Sequence, residues 1–166
     1  MSFTTLLQKV QESETFQNFK QQNPDAQLVA GFFILDFLSN DNKETLDYKT
    51  KDDIVTFTLK DNKIKINKDK LIDDPTRPQL TEIQQQIKID TTELKNLVGL
   101  KALDNGISAK LNKIIAVLQT YNQKQIWNLT CMLENLIILN IHIDSNTGEI
   151  TKFERKSMMD MIKKVK

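Results

Sequence analysis

A chain of 166 residues with a formal charge of +1, from 23 Lys and Arg against 22 Asp and Glu, lacks the positive excess that would hold nucleic acid or anionic lipid by charge alone. Hydrophobic residues are 39% and charged residues 27%, the balance of one globular domain with its own core, and three prolines and four glycines leave little for a disordered linker. Cys131 is the single cysteine and His142 the single histidine, which excludes an internal disulfide and a multi-histidine metal site.

Ser2 and Thr4 can cap a first helix carrying Leu6, Leu7 and Val10, and Ser13 restarts or continues it with Phe16 and Phe19 three apart. Asn23-Pro24-Asp25 stops it, because proline disfavours helical geometry in the residue before it. AQLVAGFFILDFL reads as a strand that is apolar on both faces, with Leu28, Ala30, Phe32 and Ile34 on one and Val29, Phe33 and Leu35 on the other. Such a strand is either covered twice or keeps one face for a partner. After the turn cluster Ser39–Asn42, the runs ETLDYKTK, DIVTFTLK and NKIKINK alternate as strands. In the last of them Ile64 and Ile66 face in while Lys63, Lys65 and Asn67 face out. Lysines there protect a sheet edge or, with Lys60 and Lys68, form a basic track for phosphates.

Asp73-Asp74-Pro75-Thr76-Arg77-Pro78 is the clearest loop and separates halves at about 1–72 and 79–166. LTEIQQQIKID fits either periodicity, with a strand preferred. Thr91 or Thr92 can cap a helix with Leu94, Leu97 and Val98 that closes near Gly99 or runs on towards Leu103. Ile107, Leu111, Ile114, Ile115 and Leu118 form one apolar stripe, and the spacing predicts a helix over 107–121 with Ser108 as its cap. Beyond it Trp127, Leu129, Cys131 and Leu133 share one face, as do Ile137, Leu139, Ile141 and Ile143 after a break at Glu134–Asn135. That is period two, so paired strands are expected, with EITKFER as a third after the Ser145–Gly148 loop. A last helix is expected to open at Ser157 and carry Met158, Met161, Ile162 and Val165.

FKQQNPDAQLVAGFFIL and LQTYNQKQIWNLTCML share an order of helix, break and strand, pairing Asn23 with Asn122, Leu28 with Trp127, Ala30 with Leu129 and Ile34 with Leu133. The expected fold class is therefore α+β: an antiparallel sheet from two pseudo-repeated helix-plus-meander halves in one domain, packed by amphipathic helices.

Little in the chain points to catalysis. There is no Gly-rich phosphate loop, GxSxG, CxxC or HExxH, so neither an enzyme nor a cofactor is expected. Asp144-Ser-Asn146-Thr-Gly148-Glu149 spaces its oxygens like a calcium loop, but an EF-hand needs glycine where Glu149 stands and glutamate where Arg155 stands. A hairpin turn with Gly148 at positive φ explains it better. Cys131 reads as a buried core thiol rather than a nucleophile. His142 alternates out of phase with Ile141 and Ile143 and reads as a surface histidine. The Asn128-Leu129-Thr130 sequon lies within a strand and is discounted.

The phase opposite Trp127 carries Ile126, Asn128, Thr130 and Met132, and the next strand adds Ile138, Asn140 and His142. With Val29, Phe33 and Leu35 these residues form a second, largely apolar sheet face, covered either by the chain's own helices or by another molecule.

The segment from Trp127 through a hairpin to Ile141-His-Ile143-Asp144-Ser-Asn-Thr-Gly148-Glu149-Ile150, preceded by an amphipathic helix, resembles PepSY-type, cystatin-like domains. Such domains wrap an antiparallel meander around one helix and often end on an Ile-Asp-x-x-Thr-Gly-Glu-Ile hairpin. The resemblance covers about a third of the chain and implies a binding or inhibitory module. The whole chain also looks like an uncharacterised prokaryotic family without a known activity. The expected function is thus a non-enzymatic protein-interaction or self-associating module, and the alternative is an RNA- or ribosome-associated factor using the basic edge Lys60, Lys63, Lys65 and Lys68. A cytoplasmic address is expected, with no membrane partner. The N-terminus carries no apolar leader-like run, and a lone cysteine suits a reducing compartment.

Overall fold

The computed structural model describes residues 1–71 and 80–157. Among them, α1 (Phe3–Glu12) and α2 (Glu14–Gln22) precede four strands, β1 (Gln27–Asp36), β2 (Lys43–Lys49), β3 (Asp53–Lys60) and β4 (Lys63–Lys70). Then α3 (Thr91–Asp104) precedes β5 (Leu111–Tyr121), β6 (Lys124–Leu133), β7 (Ile137–Asp144) and β8 (Ile150–Ser157). All eight strands join one antiparallel sheet in the order β4-β3-β2-β1-β5-β6-β7-β8, so sequence neighbours are sheet neighbours except at the β1–β5 seam.

The expected pair of related helix-plus-meander halves is overturned at 107–121. The helix predicted there is β5, hydrogen-bonded to β1 on one side and β6 on the other. The apolar stripe was real but belonged to a two-sided strand: Ile114, Ala116 and Leu118 are buried against the helices while Ile115 and Val117 face the other way. β-Branched residues pack well in that setting. Asn122 and Gln123, at φ 49 and 66, form a two-residue hairpin turn into β6 and not a helix end. The proposed correspondence fails with it, because Asn23 closes α2 whereas Asn122 turns a hairpin.

Residues 80–90 form no strand. They cross the sheet's end as irregular backbone, with Ile83 buried and its N–H donating to the Leu28 carbonyl at 2.8 Å. Gln84 and Gln125 exchange two hydrogen bonds, and Ser145 O accepts from Lys88 and Ile89. The cap of α3 is Asp90 and not a threonine, and the helix runs past Gly99 to Asp104. Ser157 ends β8, and the helix expected from it lies outside the described residues, as does the 73–78 loop.

The three helices cover one face only. Ser13 closes α1 and caps α2, its Oγ accepting from the Phe16 N–H at 3.1 Å. That break lets both short helices turn apolar residues onto the sheet. Phe16 and Phe19 meet Tyr48 and Phe57 in a ring cluster with centroids 5.2 to 6.0 Å apart. Gly31 makes room for Phe3 beside it: a Cβ there would come within 3.0 Å of the Phe33 ring and 3.5 Å of the Phe3 ring.

The Tyr48 hydroxyl is buried in this cluster without a hydrogen bond. Burial pushes its ionisation up to about 12, and the Gln11 side chain approaches it without completing a bond. Tyr48→Phe is therefore expected to raise stability by about 1 kcal/mol, since it removes an unsatisfied polar atom and little else. Urea unfolding checks this; a loss of stability would show that the hydroxyl is satisfied in solution.

Candidate functional site

The face away from the helices is organised by register. One cross-strand row reads Thr45, Phe32, Val117, Asn128, His142, Lys152 from β2 to β8, and the next reads Lys43, Ile34, Ile115, Thr130, Asn140, Glu154. A third row carries Asp36, Lys113, Met132, Ile138 and Lys156. Phe32, Ile34, Ile115, Val117, Met132 and Ile138 are half-buried, and none belongs to the core cluster that holds the helices. Among the described residues this leaves an apolar centre on β1, β5, β6 and β7 with a polar margin.

The structure brings together Ile126, Asn128, Thr130, Met132, Ile138, Asn140 and His142 as predicted, on adjacent strands of this face. It does not bring Phe33 and Leu35 there. Both are buried in the core cluster, with Phe33 packed edge-on against Trp127 at 5.7 Å. The cause is a bulge. Leu28 pairs with Tyr48 and Ala30 with Asp47, so Val29 is an extra residue, and every side chain beyond it changes face. Val29 itself is buried at the bulge. Phe32 and Ile34 thus replace Phe33 and Leu35 on the outer face, and Ile115 and Val117 join them from the strand mistaken for a helix. Strict alternation of Ile114, Ala116 and Leu118 was the signal that could have found the latter two.

Polar groups on the face are mostly tied. Asn140 Nδ2 donates to Asn128 Oδ1 at 3.2 Å and to the Leu129 carbonyl at 3.1 Å. Asp47 accepts from Thr56 Oγ1 at 2.6 Å, and burial raises its carboxyl above the usual range despite that bond. Asp36 is held low by the N–H groups of Ser39 and Leu38, with Lys113 at 3.8 Å adding to the effect.

His142 departs from the surface residue expected of it, for it is only 7% exposed. Its ring packs edge-on against Tyr121 at 5.4 Å, and burial first, then the Lys152 charge, lowers its pKa. Beside it a depression of about 390 Å³ is lined by Tyr121, Asn122, Lys124, Ile126, His142, Thr151 and Lys152. Thr151 is the extra residue of a second bulge, between the His142–Lys152 and Ile143–Ile150 pairs.

The basic edge divides. Lys63 and Lys65 project on the outer phase of β4, whereas Lys68 pairs with Val55 on the helix-side phase and its Nζ lies 3.3 Å from Asp53 Oδ2. Lys60 sits opposite Lys63 where the Asp61–Asn62 hairpin closes. Cys131 is fully buried, and burial pushes its thiol up to about 12, well away from a reactive thiolate. Asp144 Oδ1 accepts from the N–H groups of Asn146 and Thr147, and Gly148 sits at φ 78, as a turn requires. No helix among the described residues is long and apolar enough to cross a membrane.

The chain matches no protein-family model and no curated protein. Among solved structures it is similar to that of a "putative lipoprotein" from Clostridium difficile 630, at a TM-score of 0.61 and 11% identity over 86% of this chain and 91% of that one. At so low an identity the likeness is one of fold.

Proposed function

We propose that the protein is a non-enzymatic binding module that self-associates through the outer face of its sheet. The observation behind this reading is the apolar centre of Phe32, Ile34, Ile115, Val117, Met132 and Ile138, which the described helices leave uncovered. Strands spaced about 4.8 Å apart and seven residues long give roughly 440 Å² for the four central strands and about 900 Å² for all eight. A standard interface takes about 800 Å² from each partner, with an apolar middle and a polar rim, which this face could supply. Edge pairing is less favoured, since β4 and β8 are both lysine-rich. A net charge of +1 offers little repulsion between copies.

About 400 Å² of apolar burial is worth on the order of 10 kcal/mol, and association costs at least about 4 kcal/mol, so a weak dimer with a Kd of tens of micromolar or above is expected. Sedimentation equilibrium should show it, and Phe32→Lys with Val117→Lys should abolish it without changing the circular dichroism, because both side chains point away from the core. A wild-type chain that stays monomeric at about 1 mM ends the reading. The cytoplasmic address remains part of this reading, and a single buried free thiol at Cys131 is compatible with it.

A further inference from the structure

We propose that the depression between the β5–β6 hairpin and β8 is a binding site for a small organic anion, a carboxylate attached to a short apolar body. The seven lining residues include two lysines, Lys124 and Lys152, with His142, Asn122, Thr151 and the Tyr121 hydroxyl as further polar groups, and no carboxylate. Two acids border it without lining it. Asp144, opposite Ile126, holds its own loop through Oδ1, and Glu154 is divided between Lys152 at 3.7 Å and Lys156 at 3.4 Å, so it offsets only part of the Lys152 charge.

A lining with two cations and hydrogen-bond donors but no carboxylate of its own favours negative charge. Ile126 and the Tyr121 ring add an apolar wall, and about 390 Å³ suits a ligand of modest size. The bulge at Thr151 lies next to His142, and bulges commonly re-aim side chains beside sites. The His142 ring lines the depression and packs edge-on against Tyr121, which leaves its nitrogens available to a ligand. Around that ring stand Tyr121 in edge-on contact, Asn128 and Lys152 as its cross-strand partners on β6 and β8, Lys124 in the same lining and Asp144 two residues along its own strand. An anion seated between the lysines offsets the Lys152 charge that lowers the histidine pKa. The site lies at one end of the outer face, and its argument does not depend on self-association.

NMR titration of the full chain at constant ionic strength, with benzoate, benzamide and inorganic phosphate as probes, tests the assignment. Benzoate should shift resonances of Tyr121, Ile126, His142 and Thr151 and raise the His142 pKa. Benzamide should bind at least about tenfold more weakly, as should benzoate to the Lys124→Glu, Lys152→Glu double variant. Both lysines are exposed, so the double variant should stay folded. Equal shifts from benzamide would remove the role of charge, and phosphate binding as tightly as benzoate would remove the apolar part. Unchanged benzoate binding in the double variant, or no shift at about 10 mM benzoate, overturns the site.

Discussion

Trp127→Ala is expected to remove about 4–8 kcal/mol of stability, the largest loss of any single substitution considered for this chain. Trp127 is fully buried and lies in the core row of Leu46, Gly31, Leu118, Trp127 and Ile143, at the middle of the sheet. Its ring packs edge-on against Phe33 at 5.7 Å, and Phe33 in turn packs edge-on against Phe3 of α1 at 6.4 Å. Truncating such a residue costs about 3–5 kcal/mol in lost burial and cavity. The indole also donates to the Ile89 carbonyl at 2.7 Å, one of the contacts that pin the irregular 80–90 segment to the sheet. Orphaning that carbonyl adds about 1–3 kcal/mol, against a total stability of roughly 5–15 kcal/mol for an ordinary domain. Trp127→Phe keeps most of the burial and loses the hydrogen bond, so its cost should fall near 1–3 kcal/mol. Urea unfolding followed by circular dichroism separates the two, because the only tryptophan is itself the fluorescent probe. A cost under about 2 kcal/mol for the alanine variant would contradict this account of the core.

The closing strands were legible because Trp127 to Leu133 and Ile137 to Ile143 alternate without interruption, and a one-residue error would move every side chain to the wrong face. The β3–β4 hairpin was legible for the same reason, with Asp61 and Asn62 both adopting positive φ without glycine. Two things hid the rest. The spacing of Ile107, Leu111, Ile114, Ile115 and Leu118 satisfies a helical stripe and a two-sided strand alike, and only the neighbouring strands decide between them. The bulge at Val29 leaves no mark in composition, yet it exchanged Phe33 and Leu35 for Phe32 and Ile34 on the outer face. Roughly half of that face was therefore readable, the half on β6 and β7. The depression was not, because it depends on a second bulge and on side chains from four strands and a hairpin turn. The cap of α3 was missed by one or two residues, since Thr91 and Thr92 are good caps by type and Asp90 was chosen by a contact 87 positions away.

That contact sets the second large effect. Asp90 Oδ1 accepts from the Phe3 N–H at 2.7 Å and the Thr91 N–H at 2.6 Å, and Oδ2 accepts from Thr4 N at 3.2 Å and Thr4 Oγ1 at 2.8 Å. Glu93 closes the capping box by accepting from the Asp90 N–H at 2.7 Å. One carboxylate therefore serves the N-termini of α1 and α3 together, where unpaired N–H groups and the helix dipoles both favour negative charge. Each cap is worth about 1 kcal/mol, and hydrogen bonds to a charged group more, so Asp90→Ala should cost roughly 2–4 kcal/mol. Asp90→Asn keeps one acceptor oxygen but turns an amide towards the Thr4 N–H, and about half that loss is expected. Ser2→Ala removes the local cap of α1, a bond of 3.1 Å from Thr5 N and an exposed one of 2.9 Å to Thr5 Oγ1, and should cost the least of the three. Stability alone would not distinguish a shared cap from a cap of α3. Hydrogen exchange does: Asp90→Ala should speed exchange of the Phe3 and Thr4 amides as much as those of Thr91 and Glu93. If only the α3 amides respond, the carboxylate is a local cap, and the two helices are held together by their apolar faces on the sheet.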